Sequence, residues 1–214
     1  MARARVHQHV NPLAKYFREL PIEPLELGKV YENPELPLHL DIGCARGRFI
    51  LELARIDKGT NFLGVEIREP LVDDANAIRD EERLTNLHYE FCNASFDLGV
   101  LLSDIPEGAL KTVSIQFPDP WFKKKHAKRR MVKDHLVETI ARHLSTDGVV
   151  VLQSDIDFVL EEMLRKFERS KKFEAFETDV SPFAVKTERE TSVENRSLPV
   201  YRYLLKRKAG SVPA

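Results

Sequence analysis

From Leu38 onward, short apolar runs alternate with stretches whose apolar residues recur every three or four positions. The runs at 38–42, 62–67, 87–92, 113–117 and 149–152 predict β-strands, and the last is apolar almost throughout, as suits a strand covered on both faces. Between them, Phe49, Ile50, Leu53 and Ala54 share one helical face, as do Leu71, Ala75 and Ile78 after Pro70, a residue favoured at a first helical position. Val132, Leu136, Ile140 and Leu144 mark a further helix, followed by the turn signal Asp147-Gly148. Ser154-Asp155, with Asp157, reads as a cap for a helix carrying Leu160, Met163, Leu164 and Phe167 at i, i+3, i+4, i+7 spacing. Two extended runs follow, at 173–176 and 201–205. Strands alternating with helices predict an α/β fold with a mostly parallel sheet.

Before Leu38 the pattern is weaker: residues 1–37 read as a basic arm followed by a Pro-containing connector, 38–208 as the domain and 209–214 as a short tail. With 214 residues and 43% hydrophobic composition, one well-filled core is expected. No apolar run approaches the roughly 18 residues of a membrane span, and the N-terminus lacks a secretory apolar segment, so a cytoplasmic protein is expected. Cys44 and Cys92 form neither a disulfide framework nor a zinc-spaced pair, and no metal is expected. The net charge of −1 argues, taken whole, against a nucleic-acid partner. By segment it is a cancellation: residues 1–20 carry +3, 21–110 carry −10, 111–135 carry +6 and the remainder is neutral. Seven of the eleven positions 123–133 are Lys or Arg, just after the single Trp.

Ligands of parallel sheets sit at the carboxyl ends of the strands. After the first strand comes Asp41-Ile-Gly43-Cys-Ala45-Arg-Gly47, a small-residue turn feeding a helix. The dinucleotide fingerprint would need Gly at 45 and 48, where the chain has Ala45 and Arg48. An acid, Glu66, lies near the end of the second strand, where a carboxylate can accept from both hydroxyls of a ribose, and Asn93 after the third could meet an adenine. The set Asp41, Gly43, Gly47 and Glu66 resembles the S-adenosylmethionine site of Rossmann-like methyltransferases. Ala45 is expected to have a negative φ.

The fourth strand runs into Phe117-Pro118-Asp119-Pro120-Trp121. Two prolines hold Asp119 with little freedom, which makes it the leading catalytic candidate. A planar base could stack on or beside Trp121 while the carboxylate meets its hydrogen-bonding edge, with phosphates passing along the basic strip.

The run Pro118 to Arg130, PDPWFKKKHAKRR, is similar to the signature of the bacterial tRNA (guanine-N7)-methyltransferase family, and the run Arg5 to Pro12 resembles that family's N-terminal arm. The resemblance implies a Rossmann-like class I methyltransferase with a mostly parallel seven-stranded sheet and helices on both faces. It implies methyl transfer from S-adenosylmethionine to guanosine 46 in the tRNA variable loop, leaving 7-methylguanosine and S-adenosylhomocysteine. It also implies Asp119 as the catalytic acid, Asp41, Glu66 and Asn93 as cofactor contacts, and Lys123, Asp155 and the segment Thr191 to Glu194 as substrate contacts. The T-x-x-E pattern also occurs at 187–190, but only the later copy is followed by a basic residue, Arg196, two positions on. Phe122 stands where many members have His, and Asn93 where an acid is frequent. An amino-methyltransferase acting on adenine or cytosine and a non-catalytic RNA-binding subunit are the competing readings. Monomer and homodimer both stay open.

Overall fold

A computed structural model describes residues 10–208. Arg3, Arg5, His7 and His9 of the arm and the tail 209–214 lie outside the described residues. Among the described residues the strands are β1 (Leu38–Ile42), β2 (Asn61–Glu66), β3 (Leu87–Phe91), β4 (Leu110–Gln116), β5 (Leu144–Ser154), β6 (Phe173–Glu177) and β7 (Tyr201–Arg207). They form one seven-stranded sheet in the order β3-β2-β1-β4-β5-β7-β6. β1 to β5 run parallel, and β7 lies antiparallel between β5 and β6. The order turns back between β1 and β4, so a crevice opens at their adjacent carboxyl ends.

The helices are α1 (Lys15–Arg18), α2 (Leu27–Val30), α3 (Arg48–Ile56), α4 (Glu69–Glu81), α5 (Leu98–Leu101), α6 (Asp134–His143), α7 (Asp157–Ser170) and α8 (Glu188–Glu194), with a 3₁₀ helix at Lys124–Arg129. Alternation along β1 sorts the two faces of the sheet. Leu38, Leu40 and Ile42 join a core with Leu136, Ile140, Leu160 and Phe167 of α6 and α7. On the other face, Phe49, Ile50 and Leu53 of α3 pack with Val72 and Ala75 of α4. Ile50 is fully buried, and truncating such a side chain to Ala costs roughly 2–5 kcal/mol.

Several expectations need correction. The stretch 21–37 is more than a connector: Leu25, Leu27 and Tyr31 are buried in the main core, and the Tyr31 hydroxyl donates to the Phe62 carbonyl at 3.0 Å. The helix read through Val132 and Leu144 is confined to α6, because Lys133 and Leu144 both adopt extended backbone at its ends. The Asp147-Gly148 turn lies inside β5 as an irregularity: Leu110 pairs with Leu144, but Thr112 pairs with Val149. The cap over α7 does not form as read. Ile156 is its N-cap with no side-chain bond, and Ser154 Oγ instead accepts from the Ile156 N–H at 3.1 Å. The segment Thr191 to Glu194, to which the sequence assigns no element, forms the second half of helix α8.

Candidate functional site

The turn after β1 is left-handed at three positions, with φ of +81° at Gly43, +52° at Ala45 and +69° at Gly47. Gly47 is required by packing, since a Cβ there would lie 2.2 Å from the Tyr89 ring, whose hydroxyl donates to the Gly47 carbonyl at 2.7 Å. Ala45 thus contradicts the expected negative φ. Its N–H donates to Glu66 Oε2 at 2.9 Å, and this charge-assisted bond offsets a left-handed cost of roughly 1–2 kcal/mol.

Glu66, buried at the end of β2, is heavily bonded. Its Oε1 accepts from the Ile67 and Arg68 N–H groups and from Arg68 Nε, and its Oε2 accepts from Arg68 Nη2 at 2.9 Å as well as from Ala45. Hydrogen bonding to Glu66 raises the pKa of Arg68, and the negative charge of Asp119 adds to the effect. Arg68, which sequence reasoning passed over, therefore links the acid at the end of β2 electrostatically to the acid after β4.

Asp41 anchors a buried polar chain. Ser114 Oγ on β4 donates to Asp41 Oδ1 at 2.6 Å and lies 2.9 Å from His39 Nε2. Burial lowers the His39 pKa to about 3, so the ring is neutral and its Nε2–H donates to Ser114. Burial pushes the Asp41 carboxyl up to about 6, while Ser114 and the neighbouring Gln116 amide oppose the rise. Both amide atoms of Gln116 are buried without a hydrogen-bond partner of normal geometry among the described residues. A buried amide with unmet hydrogen-bonding capacity next to the buried Asp41 carboxyl fits a polar, cationic ligand such as S-adenosylmethionine, which offers ribose hydroxyls, an ammonium and a sulfonium. The amide N–H groups of Asn93 hold the N-terminal segment, donating to the carbonyls of Pro12 at 3.0 Å and Phe17 at 2.7 Å. Only its Oδ1 faces elsewhere, accepting from Ser95 N–H at 3.3 Å.

The loop after β4 is strained at both ends of the proline-framed acid, with φ of +48° at Phe117 and +44° at Trp121. Left-handed backbone at bulky residues is uncommon and concentrates at functional sites. Arg130 secures the loop: its Nε donates to the Pro120 carbonyl at 2.8 Å, it pairs with Glu162 on α7, and its guanidinium lies 5.2 Å from the centre of the Phe158 ring. Trp121 is not a bare stacking surface, since the Arg129 guanidinium covers its ring at 4.9 Å and His126 meets it edge-on. Lys128, Arg129, Arg130, Lys133 and Lys166 line a cleft of about 320 Å³ that also reaches Ser95 and Phe96. Burial, helped by Lys166 and Arg130, lowers the Lys133 pKa, which an arriving anion would reverse.

Asp155, just beyond β5, pairs with Arg189 of α8. The next-door residues of that helix reach elsewhere: Glu188 pairs with Arg48 at the start of α3, and Glu190, buried, pairs at 2.7 Å with the buried Arg202, which also donates to Gln153 on β5 at 2.8 Å. The first T-x-x-E copy is therefore structural, with Thr187 Oγ1 accepting from the Glu190 N–H as N-cap. In the second copy Thr191 is exposed and bonds back to the Thr187 carbonyl, Glu194 is half-buried and pairs with Lys186 and, at 3.5 Å, with Arg202, and the exposed Arg196 donates its Nε–H to the Ser192 carbonyl. Lys123 is exposed at the head of the 3₁₀ helix. The structure thus brings Asp41, Glu66 and Asp119 to adjoining strand ends and ties Asp155 to α8, while Asn93 lies to one side under the N-terminal segment. Among the described residues no group of three or more metal-ligating side chains occurs, and no helix is long and apolar enough to cross a membrane.

Residues 35–203 match a family model described as a putative methyltransferase. A tRNA (guanine-N(7)-)-methyltransferase of Trichormus variabilis is 53% identical over 207 residues, covering 95% of this chain and 96% of that protein. Its namesake in Synechococcus elongatus is 52% identical, with 95% and 97% covered, and that in Thermosynechococcus vestitus 49%, with 95% of each covered. Among solved structures, an antibiotic-related methyltransferase superposes with a TM-score of 0.53 at 15% identity, covering 85% of this chain and 90% of the other. An rRNA methylase from Streptococcus thermophilus gives 0.51 at 12% identity, covering 85% and 91%. At those identities the likeness concerns the fold alone.

Proposed function

Since the chain belongs to the family of tRNA (guanine-N(7)-)-methyltransferases, we propose a division of labour in which the ends of β1 and β2 hold the methyl donor while the loop after β4, Asp155 and α8 hold the RNA. The protein transfers a methyl group from S-adenosylmethionine to N7 of a guanosine in tRNA. In our reading the guanosine is position 46 of the variable loop, and the enzyme works in the cytoplasm, where its substrate is found. The observation that carries the assignment of roles is the placement of Asp119, on a doubly strained loop, at the strand end beside the one that bears Asp41.

Guanine N7 exposes a lone pair in the base plane, so no proton has to leave before attack. S-adenosylmethionine supplies the methyl on a positively charged sulfur. The task of the protein is alignment and charge. Glu66 would hold the ribose hydroxyls as acceptor, and Asp41 would meet the donor's positive end. Asp119 accepts from the N1–H and amino group of guanine and stabilises the positive charge that grows on the purine as N7 is alkylated. Lys123, Thr191 and Arg196, all exposed, and the half-buried Glu194 meet the surrounding nucleotides, with Asp155 paired to Arg189. The basic cleft takes backbone phosphates, a contribution independent of sequence and weakened by salt.

The test is incubation with unmodified tRNA and methyl-labelled donor, followed by mass spectrometry of the nucleosides and mapping of the site. A single 7-methylguanosine at position 46 is expected. A methylated exocyclic amine of adenine or cytosine would contradict the reading.

A further inference from the structure

Two aromatic side chains beside the loop after β4 are left in solvent. Phe122 is 68% exposed and Phe158 39% exposed, and their rings meet edge to face at 6.0 Å between centroids. Exposing them has no benefit for the fold, because neither belongs to the buried core. They occupy a defined place: Phe122 is three residues after Asp119, and Phe158 stands in the first turn of α7, three residues after Asp155. They are also held in place from behind. Arg130 lies over the Phe158 ring, pairs with Glu162 one turn further along α7, and bonds the carbonyls of Pro120 and Trp121, so the loop and the helix are clamped together.

We propose that Phe122 and Phe158 form a stacking platform for an unstacked nucleobase next to the methylated guanosine. The inference rests on the tRNA methyltransferase reading and adds the group that orders the neighbouring nucleotide. A base is the fitting occupant because the Phe122 side of the pair is cationic, with the exposed Lys123, Lys124 and Lys125 following directly in the chain, while Arg130, paired with Glu162, lies against Phe158. Cations draw in the backbone and flat aromatic rings receive the base, the combination by which proteins bind single-stranded nucleic acid. Trp121 is less available for this task, since it is half-buried, with Arg129 over its ring and His126 against it edge-on. To reach N7, the target guanine must be presented in one orientation, and fixing its neighbour on a rigid surface restricts the strand at the point where it enters the site.

The test combines Phe122→Ala, the double variant Phe122→Ala with Phe158→Ala, and Phe122→Trp with three tRNAs, one intact and two carrying an abasic ribose at one or the other nucleotide flanking the target. Stacking on one base corresponds to a loss of roughly 5- to 150-fold in kcat/KM for the double variant on intact tRNA. Affinity for S-adenosylmethionine should be unchanged, and Phe122→Trp should retain most activity. On the abasic tRNA that lacks the stacked base, the native protein should show the same loss and the double variant no further loss. Additive losses on every abasic tRNA, or full activity of the double variant, would overturn the platform. So would a shift to a smaller species in sedimentation with methylation intact, which would make the pair a protein contact. Formation of 7-methylguanosine by the native protein is read in the same experiment, so failure of the platform is distinguishable from failure of the reaction assignment.

Discussion

The ends of β1 and β2 and the ends of β4 and β5 face the same crevice but are built in opposite ways. On the first side Asp41 and Glu66 are buried, and they accept hydrogen bonds from Ser114 within the sheet, from Ala45 in the turn after β1 and from Ile67 and Arg68 one and two residues on. On the second side, Phe117 and Trp121 hold left-handed backbone, the lysines of the 3₁₀ helix stand in solvent, and α8 is secured by pairs with Arg48, Asp155 and Arg202. A small donor molecule is best held by a preformed, dry set of acceptors, whereas a large polyanion is met by an exposed cationic surface that adjusts around one fixed carboxylate. If this contrast is correct, each side can be damaged without the other.

The largest effect should come from the support of α8. Glu190 and Arg202 form a buried pair, and removing one partner leaves an uncompensated charge at a cost of roughly 3–5 kcal/mol. Glu190→Ala should lower the thermal midpoint strongly and weaken tRNA methylation, while donor affinity measured below the new midpoint stays near native. A parallel collapse of donor affinity would erase the contrast. Next in size is Glu66→Ala, in which the loss of a charged acceptor for the ribose should weaken S-adenosylmethionine by roughly 1.5–3 kcal/mol in calorimetry, with tRNA affinity unaltered.

A smaller, pH-dependent effect should arise at Asp41. Its folded pKa of about 6 lies above the ordinary value of 3.8, so ionisation is easier in the unfolded chain. The unliganded protein therefore loses stability as pH rises from about 4 to about 6, and the loss persists above that. Asp41→Asn should gain thermal stability relative to native protein at pH 8 and show little advantage at pH 4. Donor affinity of the native protein should decline as pH falls through about 6, when the carboxylate is neutralised. The smallest effect should come from the basic cleft: Lys128→Ala should weaken tRNA binding modestly and reduce its salt dependence by about one unit of slope in a log–log plot. An unchanged slope would remove the cleft from the RNA path.

The same contrast explains what could be read from the chain. β1 matches its apolar run residue for residue, and α3 lies where its apolar face repeats, because both are specified by local alternation. Asp41, Glu66 and Asp119 were legible because strand ends and a proline frame mark them within a few residues. Helix α8 was not, since its partners lie 12, 34 and 140 positions away and its surface is polar. Nor were Leu25 and Tyr31, whose burial depends on β2 and α5 rather than on any periodicity around them. The left-handed Ala45 is intelligible only once Glu66 is seen accepting its N–H. Asn93 marked the right strand end, but its engagement with Pro12 and Phe17 spans more than 70 residues and has no local signature.

The separation of the two sides is tested most directly at Asp119. For Asp119→Ala, donor affinity by calorimetry and 7-methylguanosine formation by mass spectrometry should be measured on the same preparation. The account predicts donor affinity close to native and turnover reduced by about 100-fold or more, the scale of losing one group that stabilises charge in a transition state. Undiminished turnover, or donor affinity falling as far as turnover, would contradict it.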